Sequence, residues 1–217
     1  MKTTAIVLAG GSGKRMNSTV KKQFLEIDGK PLLYYALKIF EDSFIDEIIL
    51  VASEEDKEYC RKEIIDKYNF NKVTKIVAGG KERYHSVANG VMAADACEYI
   101  FIHDGARPWL SHQNINDILI KLETCDACLL MVPVKDTIKV VQDGIVVDTP
   151  ARDTLYQAQT PQAFKTSLIL EAHAIAIRDK VEATDDAMLV ELCTGTKVHM
   201  VLGSYENKKV TTIDDVQ

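Results

Sequence analysis

Hydrophobic residues along the chain follow two spacings, one typical of buried strands and the other typical of helices. Short apolar runs rich in valine and isoleucine predict strands at residues 4–10, 46–53, 72–80, 98–108 (ending in charged residues) and 127–134. Between these runs, apolar side chains recur every three or four residues, which predicts helices at residues 31–43, 54–68, 83–94 and 114–123. Strands that are apolar on both faces and alternate with helices indicate an α/β fold, in which a mostly parallel, doubly wound (Rossmann-like) sheet is covered on both sides.

The pattern changes after Pro133. Two β-branched runs flank Gln142, Asp143 and Gly144, and an Asp-Gly pair between such runs is a strong signal for a β-hairpin. Residues 136–155 are therefore predicted to form a β-arm inserted into a single domain that spans residues 1–217. The α/β pattern then resumes with helices at about residues 166–178 and 184–193 and a strand at residues 198–204.

Three local predictions concern the last part of the chain. Thr184 is expected to cap the helix that follows it, with Asp185 and Asp186 in the first turn, where acidic groups favour the helix dipole. A strand is expected just after Lys209. The Asp-Asp pair at residues 214–215 is expected to begin a further helix that the sequence does not continue.

Charge and composition narrow the possible functions. The chain of 217 residues has 26 Lys and Arg against 32 Asp and Glu, a net charge of −6, which argues against a nucleic-acid partner. No apolar run approaches the roughly 20 residues that span a bilayer, and the N-terminal residues lack a secretory cleavage pattern. Five scattered cysteines suit a reducing compartment. We therefore expect a cytoplasmic protein without a membrane partner.

A glycine-rich segment, IVLAGGSGKRM at residues 6–16, follows the first strand. It is not a P-loop, because Leu8 occupies the first glycine position and Arg15 stands where Ser or Thr is needed. It is not a dinucleotide fingerprint either, because the third glycine position holds Met16. Glycines still allow backbone N–H groups to approach a polyphosphate, and Arg15 and Lys22 add positive charge nearby. A plain glycine turn with surface cations remains the alternative.

Charged residues also follow the other predicted strands. Asp104 ends an apolar strand and is a candidate ligand for the magnesium that accompanies a nucleoside triphosphate, and Arg107 can hold a phosphate with two hydrogen bonds. The alternative is a structural pair between Asp104 and Arg107. Ser86, near a helix start after two glycines and Arg83, could read a base or ribose, or could simply cap its helix.

Several weaker candidates lie in the second half of the sequence. They are Arg152 and Thr160 at the base of the arm, and Lys208 and Lys209 near the end. The spacing of Cys125 and Cys128 matches CxxC, but no second pair accompanies it, so structural thiols are the preferred interpretation.

Taken in order, eight segments resemble the 2-C-methyl-D-erythritol 4-phosphate cytidylyltransferases of the non-mevalonate isoprenoid pathway. These segments are LAGGSGKRM, KQFLEIDGKPLL, AGGKERYHSV, HDGARP, VPVKDTIK, QTPQAF, TDDAMLVE and NKKVT. The resemblance covers essentially the whole chain and implies a single nucleotidyltransferase domain that joins CTP to a polyol phosphate. It also implies a homodimer whose β-arms interlock, so that each site borrows residues from the partner.

The resemblance assigns roles to individual residues. Arg15 and Lys22 would stabilise charge at the α-phosphate, and Arg152 and Lys209 would align the polyol phosphate for attack, which makes these four the catalytic set. Contacts to CTP and its Mg²⁺ would come from Ala9, Gly10, Gly11, Gly80, Ser86 and Asp104, the last being the metal ligand. The polyol phosphate would be bound by Asp104, Arg107, Thr137, Arg152, Thr160 and Lys209.

The chain departs from the family pattern at three points. Lys21 replaces the usual proline, so Lys21 and Lys22 could compete for one role; Gly105 replaces an alanine; and the expected C-terminal helix is absent or shortened. Ribitol-5-phosphate cytidylyltransferases are a similar sister family, and VPVKDTIK together with Ala106 favours the methylerythritol assignment. A non-catalytic CTP-binding module and a nicotinamide dehydrogenase are alternatives of other classes, and the latter is weakened by Met16.

Overall fold

The computed structural model describes residues 2–11, 21–212 and 215. The strands are, in chain order, β1 (Thr3–Leu8), β2 (Glu26–Ile27), β3 (Lys30–Pro31), β4 (Glu47–Ala52), β5 (Val73–Ala78), β6 (Tyr99–Asp104), β7 (Ala127–Pro133), β8 (Val140–Gln142), β9 (Ile145–Asp148), β10 (Tyr156–Lys165) and β11 (His199–Leu202). The α-helices are α1 (Leu32–Glu41), α2 (Lys57–Tyr59), α3 (Arg83–Ala93), α4 (His112–Leu122), α5 (Thr166–Asp179) and α6 (Asp186–Thr194). Strands and helices alternate over most of this length, as the hydrophobic pattern predicts.

The main sheet has seven strands in the order β11-β7-β10-β6-β1-β4-β5. Strand β1 lies between β4 and β6 and is parallel to both, β5 is parallel to β4, and β11 is parallel to β7. Only β10 runs against its neighbours, β6 and β7, among the described strands of this sheet. The sheet is therefore mostly parallel, and the predicted α/β class is confirmed.

Helices cover both faces of this sheet, because alternate residues of each buried strand point to opposite sides. In β1, Ala5 and Val7 join a core with α1 and α4, whereas Ile6 joins a second core with α3, α5 and α6. Leu37 of α1 and Val87 of α3 are fully buried members of the two cores. The described ranges contain no helix long and apolar enough to cross a membrane.

Strand β10 was not expected from the sequence. Its ten residues, YQAQTPQAFK, carry polar side chains at most positions and a proline near the middle, which are weak strand signals. The strand pairs antiparallel with β6 from Gln162 to Lys165, and its register against β7 shifts between Ala158 and Gln162. This strand brings Thr160 under the carboxyl end of β6, where the candidate site lies.

The predicted arm forms a hairpin between β7 and β10. Gln142 of β8 pairs with Ile145 of β9, and the two turn residues Asp143 and Gly144 have φ values of 49° and 79°. Two successive positive φ angles are typical of the type I′ turn that an Asp-Gly pair favours. The arm packs little against its own chain, since Val141, Ile145 and Val147 remain between 51% and 67% exposed.

Three local predictions need correction. Residues 54–66 form a 3₁₀ turn, the short α2 and a π-helical stretch, Cys60–Asp66, instead of one α-helix. The cap of α6 is Asp185, whose carboxylate accepts from the backbone N–H of Met188, and Thr184 lies outside the helix. Residues 209–212 are irregular, so the strand predicted after Lys209 is wrong. Of the pair predicted to begin a further helix, Asp214 lies outside the described residues.

Candidate active site

Glycine turns and charged side chains meet in one cavity of about 400 Å³. It lies at the carboxyl ends of β1, β5 and β6, which is where open α/β sheets bind ligands. The described residues that line it are Leu8, Gly10, Gly11, Lys22, Gly80, Lys81, Glu82, Arg83, Ser86, Asp104, Ala106 and Lys209. Five of the predicted CTP contacts therefore surround one space. The sixth, Ala9, is buried directly beneath the first glycine turn.

The first glycine turn is held by hydrogen bonds on both sides of Ala9. The Ala9 N–H donates to Val51 O at 2.7 Å, and Ala9 O accepts from Nε2 of Gln23 at 2.8 Å. Gly10 and Gly11 are exposed at the cavity, and a Cβ on Gly11 would lie 3.8 Å from Cε of Lys22. Arg15, predicted as the second cation of this turn, lies outside the described residues.

Lys21 and Lys22 take different surroundings. Lys22 lines the cavity beside Gly11. Lys21 Nζ instead lies 2.5 Å from Glu55 Oε1 and 2.7 Å from Asp56 Oδ2, on the segment that follows β4. Of the two lysines that could compete for one role, Lys22 is therefore the one placed at the pocket.

The second glycine turn is tied to helix α3. Gly79 N–H donates to Ala52 O at 2.7 Å, and Gly80 N–H donates to Oγ of Ser86 at 2.9 Å. Oγ of Ser86 in turn donates to Glu82 O at 3.2 Å. A side chain on Gly80 would clash with His85, so glycine is required for this close approach. Ser86 thus shapes the turn and also faces the cavity.

Asp104 is the centre of a network of ions, which we call the charge cluster: Asp104, Arg107, Lys209, Arg83 and Asp186. Lys209 Nζ lies 2.8 Å from Asp104 Oδ2, and Nε of Arg107 lies 3.8 Å from the same oxygen. Nε of Arg83 lies 3.8 Å from Asp104 Oδ1. Burial alone would raise the pKa of Asp104, but Lys209 and Arg83 outweigh it and hold the pKa well below its usual range.

The sequence did not reveal the pairing of Arg83 with Asp186. Nη2 of Arg83 donates to Asp186 Oδ2 at 2.8 Å, and the Asp186 side chain is only 1% exposed. Burial opposes the charge of Arg83, but the nearby carboxylates of Asp186 and Asp104 raise its pKa. The only sequence signal was an acidic residue in the first turn of a helix, which suggested a dipole interaction.

Thr160 lies beneath Asp104 and does not line the cavity. Its Oγ1 accepts from Asp104 N–H at 3.1 Å and lies 3.0 Å from Nδ1 of His103. The other ring nitrogen of His103 lies 3.1 Å from Arg107 O. Burial lowers the pKa of His103 to about 4, so this histidine is neutral near pH 7. Thr160 therefore fixes the backbone of Asp104, and its contact with the polyol phosphate stays a prediction.

A second cavity of about 290 Å³ shares Lys209 with the first. Its lining residues are Arg107, Val132, Gln157, Ala158, Gln159, Tyr205, Lys208 and Lys209. Nη1 of Arg107 donates to Asn207 O at 2.7 Å, which holds the guanidinium in the wall of this second cavity. Lys208 Nζ lies 5.0 Å from the centre of the Trp109 ring. Lys209 thus stands where two ligands could meet.

The predicted arm residues lie apart from these cavities. Thr137 and Arg152 are exposed at the base of the arm, and Nη1 of Arg152 donates to Lys135 O at 3.1 Å. Neither is among the residues that line the two cavities described above.

The side chains at the first cavity suit a hard cation such as Mg²⁺ only when a bound substrate supplies further oxygen atoms. Within residues 2–11, 21–212 and 215, no three His, Cys, Asp or Glu side chains are grouped to hold a metal ion. Asp104 offers one carboxylate at the cavity. Mg²⁺ is commonly bound by one or two carboxylates together with substrate phosphates and water, so this single carboxylate fits a metal that arrives with a polyphosphate.

Comparison with known proteins gives a consistent result. A family model for IspD, 2-C-methyl-D-erythritol 4-phosphate cytidylyltransferase, matches residues 3–217. A protein with that name from Lachnoclostridium phytofermentans is 45% identical over 217 residues, covering 99% of this chain and 93% of the relative. One from Clostridium perfringens is 46% identical and covers 99% and 96%. The crystal structure of 4-diphosphocytidyl-2C-methyl-D-erythritol synthase from Anaerococcus prevotii superimposes with a TM-score of 0.86 at 34% identity, covering 99% and 92%.

Proposed function

The chain belongs to the IspD family of 2-C-methyl-D-erythritol 4-phosphate cytidylyltransferases, and we propose that the two cavities joined at Lys209 are its active site. The chain is a nucleotidyltransferase that joins CTP and 2-C-methyl-D-erythritol 4-phosphate to give 4-diphosphocytidyl-2-C-methyl-D-erythritol and pyrophosphate. This reaction belongs to isoprenoid precursor biosynthesis. A phosphate oxygen of the polyol bonds to the α-phosphorus of CTP, and the bond from that phosphorus to the bridging oxygen breaks as pyrophosphate leaves.

The observation that supports this site best is the presence of cations in the walls of both cavities, which share Lys209. Lys22, Arg107 and Lys209 line them. The attacking phosphate monoester has a second pKa of about 6, so it is already an anion near neutral pH and needs no general base. The difficulty is that two anions must meet, and fixed positive groups lower this barrier by positioning and by stabilising charge.

The first cavity is assigned to CTP. Exposed backbone groups of Gly10 and Gly11 and the turn at Gly80 suit a polyphosphate and a nucleoside, because glycine leaves the main chain accessible. Ala9 supports the first turn and Ser86 supports the second. Lys22, together with Arg15 from the adjoining segment, would stabilise the charge that develops on the α-phosphate.

Magnesium is the cofactor that we assign, with Asp104 as its protein ligand. When bound, the ion would neutralise charge on the triphosphate. Oδ2 of Asp104, the carboxylate that would hold the ion, lies 2.8 Å from Lys209 Nζ. Lys209 also lines the second cavity, which suits the role expected of it, alignment of the polyol phosphate.

The second cavity is assigned to the polyol phosphate. Arg107 can hold the phosphate with two parallel hydrogen bonds, and Lys209 can place it toward the first cavity. Thr160 contributes indirectly, through the backbone of Asp104. Methylerythritol phosphate is preferred to ribitol phosphate because the family match and the named relatives agree on it.

A homodimer formed through the arm accounts for Thr137 and Arg152. An exposed hairpin carrying Val141, Ile145 and Val147 is expected to bury these side chains against another surface, since a two-stranded hairpin alone is marginally stable. In such a dimer, Arg152 and Thr137 of the partner subunit would complete the polyol-phosphate site. The free cysteines suit the reducing cytoplasm that we assign to the protein.

A substrate panel tests this function. The purified protein is incubated with Mg²⁺ and CTP together with methylerythritol phosphate, with ribitol phosphate, or with neither, and pyrophosphate release is measured. We expect release with methylerythritol phosphate at a rate well above the other two. Faster release with ribitol phosphate would reassign the substrate. CTP binding without release under any condition would favour a non-catalytic CTP-binding module.

A further inference from the structure

The short 3₁₀ turn Lys22–Phe24 carries Lys22 into the CTP cavity, and both residues beside Lys22 are anchored elsewhere. Lys21 is held by the segment after β4, and Gln23 is held by the first glycine turn. A lysine has a long, flexible side chain that is costly to hold in one position. Fixing its two neighbours is a direct way to fix where that side chain begins.

The Lys21 side of this anchor is a network of four polar groups. Lys21 Nζ donates to Glu55 Oε1 at 2.5 Å, to Asp56 Oδ2 at 2.7 Å and to Oγ of Ser53 at 3.3 Å. Oγ of Ser53 also donates to Asp56 Oδ2 at 2.7 Å. Asp56 is 9% exposed, so the ion pair between Lys21 and Asp56 is better shielded from water than an ordinary surface ion pair. Burial opposes the charge of Lys21, but bonds to Asp56 and Glu55 outweigh it and raise its pKa.

The Gln23 side is buried. Gln23 is 2% exposed, and its Nε2 donates to Ala9 O at 2.8 Å. Ala9 precedes the two exposed glycines of the cavity wall, so the turn that carries Lys22 is attached directly to the turn expected to hold phosphate. The backbone bond from Phe24 N–H to Lys21 O, at 2.9 Å, closes the 3₁₀ turn between the two anchors.

We propose that Lys21 is a positioning residue: with Asp56 and Glu55 on one side, and Gln23 with Ala9 on the other, it forms a clamp that holds Lys22 at the α-phosphate of CTP. The proposal rests on the function proposed above. Because Lys22 is expected to act mainly when charge builds up during the reaction, loosening the clamp should lower kcat more than it weakens CTP binding.

Lys21→Met tests the clamp, because methionine keeps an apolar stem of similar length but removes the charge. We expect kcat to fall about tenfold, since displacement of a catalytic group by about 1 Å costs up to about 100-fold. The KM for CTP should change less than twofold. Lys21→Arg, which can still pair with both carboxylates, should recover most of the rate. Lys57→Met is the matched control, because Lys57 pairs with Glu54, a different carboxylate of the same segment.

Asp56→Asn provides the reciprocal test. It should reproduce the loss of kcat, and the double variant with Lys21→Met should be no slower than the more affected single variant, because both break the same interaction. Thermal unfolding and a CTP titration on each variant establish that it is folded. A kcat for Lys21→Met equal to that of Lys57→Met, or a CTP affinity that falls as much as kcat does, would overturn the clamp. If Lys22→Ala itself leaves kcat unchanged, the proposed function of Lys22 fails, which is a separate result.

Discussion

The charge cluster and the arm differ in whether their side chains find partners within the same chain. In the cluster, Asp104 and Asp186 are buried carboxylates that meet Arg83 and Lys209 within one chain. In the arm, the apolar side chains of Val141 and Ile145 stay exposed on their own chain. A buried charge must be paired within the folded chain, because leaving it unpaired is costly. Exposed apolar surface can instead be buried later, when another chain binds to it.

The two regions should therefore differ in how they depend on protein concentration. Properties set by the charge cluster belong to each chain and should be independent of protein concentration. Properties set by the arm should appear only when two chains associate, and should fade on dilution. Varying the protein concentration therefore separates the contributions of the two regions.

Lys22→Ala should have the largest effect, and it should be felt at every protein concentration. We expect kcat to fall by about 10²–10³, as when a single charge-stabilising donor is removed from an active site, with CTP affinity nearly unchanged. Steady-state kinetics and a CTP titration measure the two quantities. Equal losses of binding and rate would instead assign Lys22 to ground-state binding of CTP.

Asp186→Ala should come next and should act on stability. It leaves Arg83 without its close partner, and removing one member of a buried ion pair costs about 3–5 kcal/mol. Because the Arg83 side chain keeps 32% exposure, we expect about 3 kcal/mol, the low end of that range. Urea unfolding gives the value. Asp179→Ala removes an exposed partner of Arg178 and should change nothing measurable. Equal stability of the two variants would show that the Arg83–Asp186 pair carries no net free energy.

Arg152→Ala should weaken the binding of only the second substrate, methylerythritol phosphate. The affected site should be that of the partner chain. We expect the KM for methylerythritol phosphate to rise by about 10–100-fold, the loss of one charge-assisted contact of about 1.5–3 kcal/mol, with CTP binding unchanged.

Mixing this variant with Lys22→Ala decides whether Arg152 acts across the dimer. A mixed dimer has one site in which Lys22 and the partner's Arg152 are both intact, so activity should return on mixing. If Arg152 acted within its own chain, every site in the mixture would carry a defect and no activity would return.

Gly144→Ala should have the smallest effect and should be confined to the arm. Gly144 has a φ of 79°, and a non-glycine residue there costs about 1–2 kcal/mol. We expect the dimer dissociation constant to rise about fivefold, measured by sedimentation, with no change in kcat at high protein concentration. Gly29→Ala is the control, because its φ is 72° in the turn between β2 and β3. A weaker dimer in both variants would mean that the arm has no special role in association.

The elements with strong local signals could be predicted from the sequence. The Asp143-Gly144 pair favours a turn by its own backbone preferences, and the buried strands are apolar runs with helices between them. Strand β10 could not be predicted in this way. Its polar residues become a strand only because β6 and β7 supply hydrogen bonds on both sides, and those neighbours are distant in sequence.

In the candidate site, too, some contacts could be predicted from the sequence and others could not. The glycine turns and Asp104 follow strands, and parallel strands bring their carboxyl ends together, so their proximity followed from the fold class. The contact of Arg83 with Asp186 joins positions 103 residues apart, and nothing in either local sequence specifies the partner. The partners of the Lys21 side chain could not be predicted either, because they lie 34 and 35 residues away on another segment.

The place where the arm is inserted has a practical consequence. The chain leaves the sheet at Pro133 and returns at Tyr156, and these two residues are paired neighbours on β7 and β10. Adjacent strands lie about 4.8 Å apart, so the two ends of the excursion meet almost at one point. An excursion with touching ends can be shortened, lengthened or exchanged for that of a related chain without shifting any strand of the body. Swapping it between homologues, with Thr137 and Arg152 kept because they are assigned to the polyol-phosphate site, offers a route to engineering which chains associate through the proposed dimer contact.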